Sequence, residues 1–146
     1  MFDDSEIGVV IADGRSGVRL SRAGEANELG YPTLIDVRAG PFAGSVRDDT
    51  DGDYSRFLEQ LESLYRSLSG TATLGSYEGF SLSLVGSGGG GIAVSAEIIG
   101  EHVPSIRPTF EFGFDQTYLP PIIRGLRREF PPPTAVAGFV WTGFRP

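Results

Sequence analysis

The sequence predicts an α+β protein: a largely antiparallel sheet of about eight strands with two amphipathic helices packed on one face, in the order ββββαββββα. Three observations carry this reading. Apolar and polar residues alternate through successive stretches between Phe80 and Phe114, the period of a half-buried strand. Two other stretches, Tyr54 to Leu68 and Leu119 to Phe130, repeat their apolar residues at steps of three and four, the period of a helix. Twenty-one glycines and ten prolines among 146 residues mark many tight turns, as a strand-rich chain requires.

The elements follow in order. Ile7-Gly-Val-Val-Ile-Ala12 reads as a strand, Asp13 to Gly17 as a turn and Val18 to Ser21 as a short return strand. After a polar loop, Thr33 to Ala39 and Phe42 to Arg47 form two more strands around the turn at Gly40-Pro41. The first helix gathers Tyr54, Phe57, Leu58, Leu61, Leu64, Tyr65 and Leu68 on one face. Asp53 stands where a side chain can cap its first amides, and Gly70 where a left-handed residue can end it. Thr71 to Leu74 is a short strand. Phe80, Leu82 and Leu84, then Ile92, Val94, Ala96 and Ile98, then Phe110, Phe112 and Phe114 define three alternating strands. The second helix collects Leu119, Ile122, Ile123, Leu126 and Phe130, with Thr117 as its expected cap and Pro120 and Pro121 in its first turn, where a missing amide costs little. Residues 1–133 are expected to make one domain. The tail, 134–146, either completes the sheet or, left uncovered, forms an apolar patch of Phe139, Trp141 and Phe144 for a partner or for a second copy in a homodimer.

Absences narrow the chemistry. There is no cysteine, and all 12 basic residues are arginine. Thiol catalysis, thiolate metal sites, Schiff bases and the lysine of a Walker loop are thereby removed. His102 is the single histidine, too few for a His-rich zinc site. The acidic start, Met1-Phe-Asp-Asp-Ser-Glu6, and the lack of a long apolar run point to a cytoplasmic protein with no membrane span. The net charge of −7 opposes nucleic-acid binding and suits either solubility or a basic protein partner.

Each local motif has a simpler reading. Leu84-Val-Gly-Ser-Gly-Gly-Gly-Gly-Ile-Ala-Val94 contains a GxGxxG match, but alternating residues rather than a helix follow it. A dinucleotide cradle needs that helix for its amides and dipole, so the run reads as a β-hairpin turn. Asp48-Asp-Thr-Asp-Gly-Asp53 opens like a calcium loop, yet Tyr54 and Gln60 occupy the positions that need glycine and glutamate. It reads as an acidic turn. Glu97, Glu111 and Asp115 lie on the polar side of their strands, where paired carboxylates would need a cleft to act as acid and base. Arg124, Arg127 and Arg128 are placed to offset the negative end of the second helix. No catalytic, metal or cofactor site results.

Read in order, Phe57-Leu-Glu-Gln-Leu-Glu-Ser-Leu-Tyr65, Leu68-Ser-Gly-Thr-Ala-Thr-Leu74, Phe80-Ser-Leu-Ser-Leu84, Gly91-Ile-Ala-Val94 and Phe110-Glu-Phe-Gly-Phe-Asp-Gln-Thr-Tyr-Leu119 resemble the bacterial wall-associated-protein immunity (WapI-like) family and related domains. The resemblance spans about Phe57 to Phe130. It implies a non-enzymatic protein that binds and neutralises the toxic domain of a polymorphic toxin. A basic toxin such as a nuclease would match the acidic charge, and Asp48, Asp49, Asp51, Glu97 and Glu111 are the expected contact residues. Two alternatives stay open: a small-molecule or regulatory module, marked by an enclosed apolar pocket with convergent polar groups, and a carboxylate enzyme, marked by a cleft and a raised pKa.

Overall fold

The computed structural model describes residues 8–26, 30–48, 54–75, 80–98 and 108–131. The element order is β1 (Val9–Ala12), β2 (Ser16–Arg22), β3 (Thr33–Ala39), β4 (Phe42–Asp48), α1 (Ser55–Ser67), β5 (Ser69–Gly75), β6 (Phe80–Ser87), β7 (Gly91–Ile98), β8 (Thr109–Asp115) and α2 (Leu119–Glu129). This is the expected ββββαββββα order, and every strand pair is antiparallel. The strands divide into two four-stranded sheets, β1-β2-β3-β4 and β5-β6-β7-β8, each in sequence order. Consecutive strands pair with one another within each sheet, whereas the 13 residues of α1 separate β4 from β5.

Both sheets turn an apolar face to a common core. Val9, Ile11, Val18, Leu20, Ile35 and Val37 come from the first sheet, and Phe80, Leu82, Leu84, Ile92, Val94 and Ala96 from the second. α1 adds Phe57, Leu58, Leu61 and Leu64, and α2 adds Leu119, Ile122, Ile123 and Leu126. These residues form one cluster. Each fully buried large side chain contributes roughly 1.5–3 kcal/mol relative to an exposed one, before conformational entropy is charged against it. α1 approaches β6 at Gly86, where a Cβ would lie 2.7 Å from Leu64 Cδ1 and 2.8 Å from the Leu68 carbonyl oxygen. α2 lies against β1, with Gly125 facing Val9.

The helix ends differ from expectation. α1 ends at Leu68, which takes the left-handed conformation (φ 61°) itself, while Gly70 already belongs to β5. The next strand starts immediately, so the reversal falls two residues before the glycine. The Leu68 carbonyl is then satisfied from across the hairpin by the Gly88 amide at 2.7 Å. Asp53 lies outside the described residues, and Tyr54 at the start of α1 makes no side-chain cap bond. At the second helix Thr117 supplies the amide rather than the cap. Asp115 accepts its N–H at 2.8 Å, capping a 3-10 turn, Gln116–Tyr118, that leads into α2. Pro120 and Pro121 occupy the first turn of α2 as expected.

The glycine run is the turn between β6 and β7, with Gly88 and Gly90 both at φ 98°. Far from it, the end of α2 is tied to both the first sheet and α1. Phe130 stacks on Tyr54 with ring centroids 4.0 Å apart and meets Tyr31 edge-on at 5.7 Å. The Tyr31 hydroxyl donates to the Pro131 carbonyl at 2.6 Å, and the Thr33 and Tyr54 hydroxyls share a bond of 2.8 Å. Among the described residues no helix is long and apolar enough to cross a membrane.

Candidate partner-binding surface

The second sheet buries one face and presents the other. Its pairing aligns the outward residues in rows across β5, β6, β7 and β8: Thr71-Val85-Ala93-Gly113, Thr73-Ser83-Ser95-Glu111 and Gly75-Ser81-Glu97-Thr109. Nearly all these side chains are small, so the face has low relief. Glu97 and Glu111 stand on neighbouring strands one row apart, a diagonal relation that places backbones at roughly 7–8 Å in antiparallel sheets. Two of the five expected contact residues are therefore brought together. Asp48 ends β4 opposite Thr33, in the other sheet, and Asp49 and Asp51 lie outside the described residues, as do His102 and the tail.

Charge divides between the sheets. The four strands of the second sheet contain no arginine; their charges are Glu97, Glu111 and Asp115. The outward side of the first sheet carries Arg19, Arg38 and Arg47 around Asp36. There the register lines up Arg19, Asp36 and Ser45 in one row. Arg19 Nη2 lies 2.7 Å from Asp36 Oδ2, and the Ser45 hydroxyl donates to Asp36 Oδ1 at 2.5 Å. Partial burial would raise the Asp36 carboxyl, but the Ser45 hydroxyl and the Arg19 guanidinium outweigh it and hold it below the usual range. On the helices Arg127 pairs with Glu62 across α1 and α2, so part of the expected arginine cluster is spent on an interhelical contact. Arg66 and Arg124 border the same groove beside the exposed Tyr65.

Three hollows bear on the alternative chemistries. Around Glu97 and Glu111 an open depression of about 360 Å³ is lined by Ser81, Ser83, Ser95 and Thr109. It is a dent in a sheet face rather than a cleft. The carboxyl of Asp115 is lowered, chiefly because the Thr117 backbone N–H donates to it, the opposite sense from a general acid held protonated. An apolar cleft of about 450 Å³ lies where the sheets diverge, between Val37, Ala39 and Phe42 on one side and Ile98 and Phe110 on the other. Its volume suits a small ligand, but Thr109 is the sole polar side chain on its described lining. A third, shallow and mostly apolar hollow of about 440 Å³ includes Val85, Ala93 and Gly113 on the outer face of the second sheet. No group of three or more potential metal ligands occurs among the described residues.

The rows were only half visible in the sequence. Alternation places Glu97 and Glu111 on the polar side, but the apolar row through Val85 and Ala93 needs the register. One linear signal was available, since no arginine stands between Arg66 and Arg107. That interval holds β5, β6 and β7, and the pairing adds β8, which also lacks arginine, from beyond Arg107.

Comparison with known proteins finds no curated relative and no solved structure that matches. The model of the Immunity protein WapI-like family matches residues 25–132. That interval holds β3 to α2 and leaves β1 and β2 outside, extending the resemblance upstream of Phe57 to include half of the first sheet. Nearly three quarters of the sequence is covered, with both helices and the whole arginine-free sheet inside the match, and the chain belongs to the WapI-like immunity protein family.

Proposed function

We propose that this protein acts in the cytoplasm as a non-enzymatic immunity protein that binds one cognate toxin domain and blocks it by occlusion. Family membership over residues 25–132 is the observation that carries the reading. The net charge of −7 adds the kind of partner: a basic toxin domain, such as a nuclease whose positive surface serves to hold phosphates. An acidic protein reaches such a surface quickly and competes directly with the substrate.

The test is co-expression with the toxin domain encoded beside this chain, scored by survival and by co-purification. The expected outcome is rescue together with a stable complex whose affinity falls as salt rises. Survival no better than with an empty vector, and no complex, would remove the pairing. The apolar cleft between Val37 and Phe110 supports a second reading, a small-ligand module. A thermal-shift screen of apolar metabolites on the isolated protein tests it, and a reproducible rise in midpoint abolished by Ala39→Asp, at a half-buried position on the lining, would favour it.

A further inference from the structure

We infer that the toxin docks on the outer face of the β5–β8 sheet, presenting arginine or lysine side chains to Glu97 and Glu111. The inference rests on the immunity reading and assigns its surface. Charge is the first support. Ordinary solvated surfaces intersperse both signs, but the strands under this face carry carboxylates alone. The outward side of the first sheet mixes Arg19, Arg38 and Arg47 with Asp36, and the helices mix Arg56, Arg66, Arg124, Arg127 and Arg128 with Glu59, Glu62 and Glu129. A basic partner meets charge of a single sign on this face and charge of mixed sign on the first sheet and the helices, which favours one orientation on approach.

Shape and composition are the second support. Serine, threonine, alanine and glycine leave a low plane roughly 20 Å on a side. Long basic side chains can lie across it and donate to the hydroxyls of Ser83, Ser95 and Thr109 while reaching the two glutamates. Next to the acidic rows runs the apolar row of Val85, Ala93 and Gly113, with Val85 41% exposed. An apolar strip beside hydroxyls and charge is how protein interfaces are commonly composed. The opposite side of this sheet joins the common core with both helices and the first sheet, and no described element covers the outer one.

The experiment uses the full chain and the toxin domain encoded beside it. Glu97→Arg with Glu111→Arg reverses the face, and Ser95→Tyr obstructs its centre without changing charge. Glu25→Arg with Glu59→Arg alters net charge by the same amount at exposed positions elsewhere. Circular dichroism and thermal melting check folding, with Glu97→Gln and Glu111→Gln as the milder pair if the reversal unfolds. Both face variants are expected to weaken binding at least about tenfold and to lose rescue, with the control pair within about threefold of wild type. Equal weakening by the control pair would reduce the effect to net charge and overturn the assignment. Wild-type affinity in the face variants would overturn it too, leaving the immunity reading in place. If the wild type neither binds nor rescues, the immunity reading itself fails, and the assignment with it.

Discussion

A methyl group added at Gly86 would stand 2.7 Å from Leu64 Cδ1 and 2.8 Å from the Leu68 carbonyl oxygen, closer than real Cβ atoms approach. The obstruction is partly backbone, so the helix must move away from the strand rather than a side chain turn aside. Gly86→Ala is expected to destabilise by about 1–3 kcal/mol, as overpacking of a filled site does. Gly89→Ala, three residues on in the same glycine run, meets nothing within 4 Å and has no positive φ. It is expected to stay within about 0.5 kcal/mol of wild type. Urea unfolding with unchanged slope measures both, and equal midpoints would contradict the close approach of α1. Reading the sequence identifies the run as a turn, because turn chemistry is local. Which glycine lies under a helix depends on a contact more than 15 residues away, and no local pattern encodes it.

At the scale of elements, period alone located both helices and the alternating strands, since burial on one face is what the period records. Helix ends are less legible. Gly70 and Thr117 were plausible terminators by residue type, yet Leu68 and Asp115 do the work because β5 and β8 are held in register by their neighbours. Tertiary pairing thus decided where the chain turned. The end of α2 offers a further test. Phe130 is buried against Tyr54 and Tyr31, linking α2, the start of α1 and the lead into β3. Phe130→Ala is expected to cost about 3–5 kcal/mol. Tyr31→Phe removes only the bond to the Pro131 carbonyl and is expected to cost about 1 kcal/mol. Because these side chains touch, the double variant is expected to cost less than the sum of the two. Strict additivity in chemical denaturation would mean that the three elements are not joined through this contact.

Over the whole molecule the charges are neither random nor evenly spread, and the sequence could state only their total. The total of −7 suggested a basic partner; the separation of a sheet face bearing only carboxylates from one that mixes arginine with aspartate emerged only when the strands divided into two sheets. The same carboxylates make stability depend on pH in a definite sense. Asp13, Asp36 and Asp115 all titrate below the usual aspartate value of 3.8. Backbone amides of Ser16 and Arg15 hold Asp13 down, Ser45 and Arg19 overcome the burial of Asp36, and the Thr117 amide lowers Asp115. A folded-state pKa below the unfolded one contributes stability that is fully present above the ordinary value and is lost as pH falls through the depressed one. The window is therefore below about pH 4. As pH drops from 7 toward the isoelectric point near 4.6, mutual repulsion of the excess carboxylates also relaxes. Stability is expected to hold or rise slightly down to about pH 4 and to fall below it. The triple variant Asp13→Asn, Asp36→Asn, Asp115→Asn should be less stable than wild type at pH 7, show a shallower acid decline and approach wild type as pH falls through the window. Denaturation curves at pH 7, 5, 4, 3 and 2 decide this. If wild type and variant decline in parallel, the hydrogen bonds to these three carboxylates do not set the acid limit of the fold.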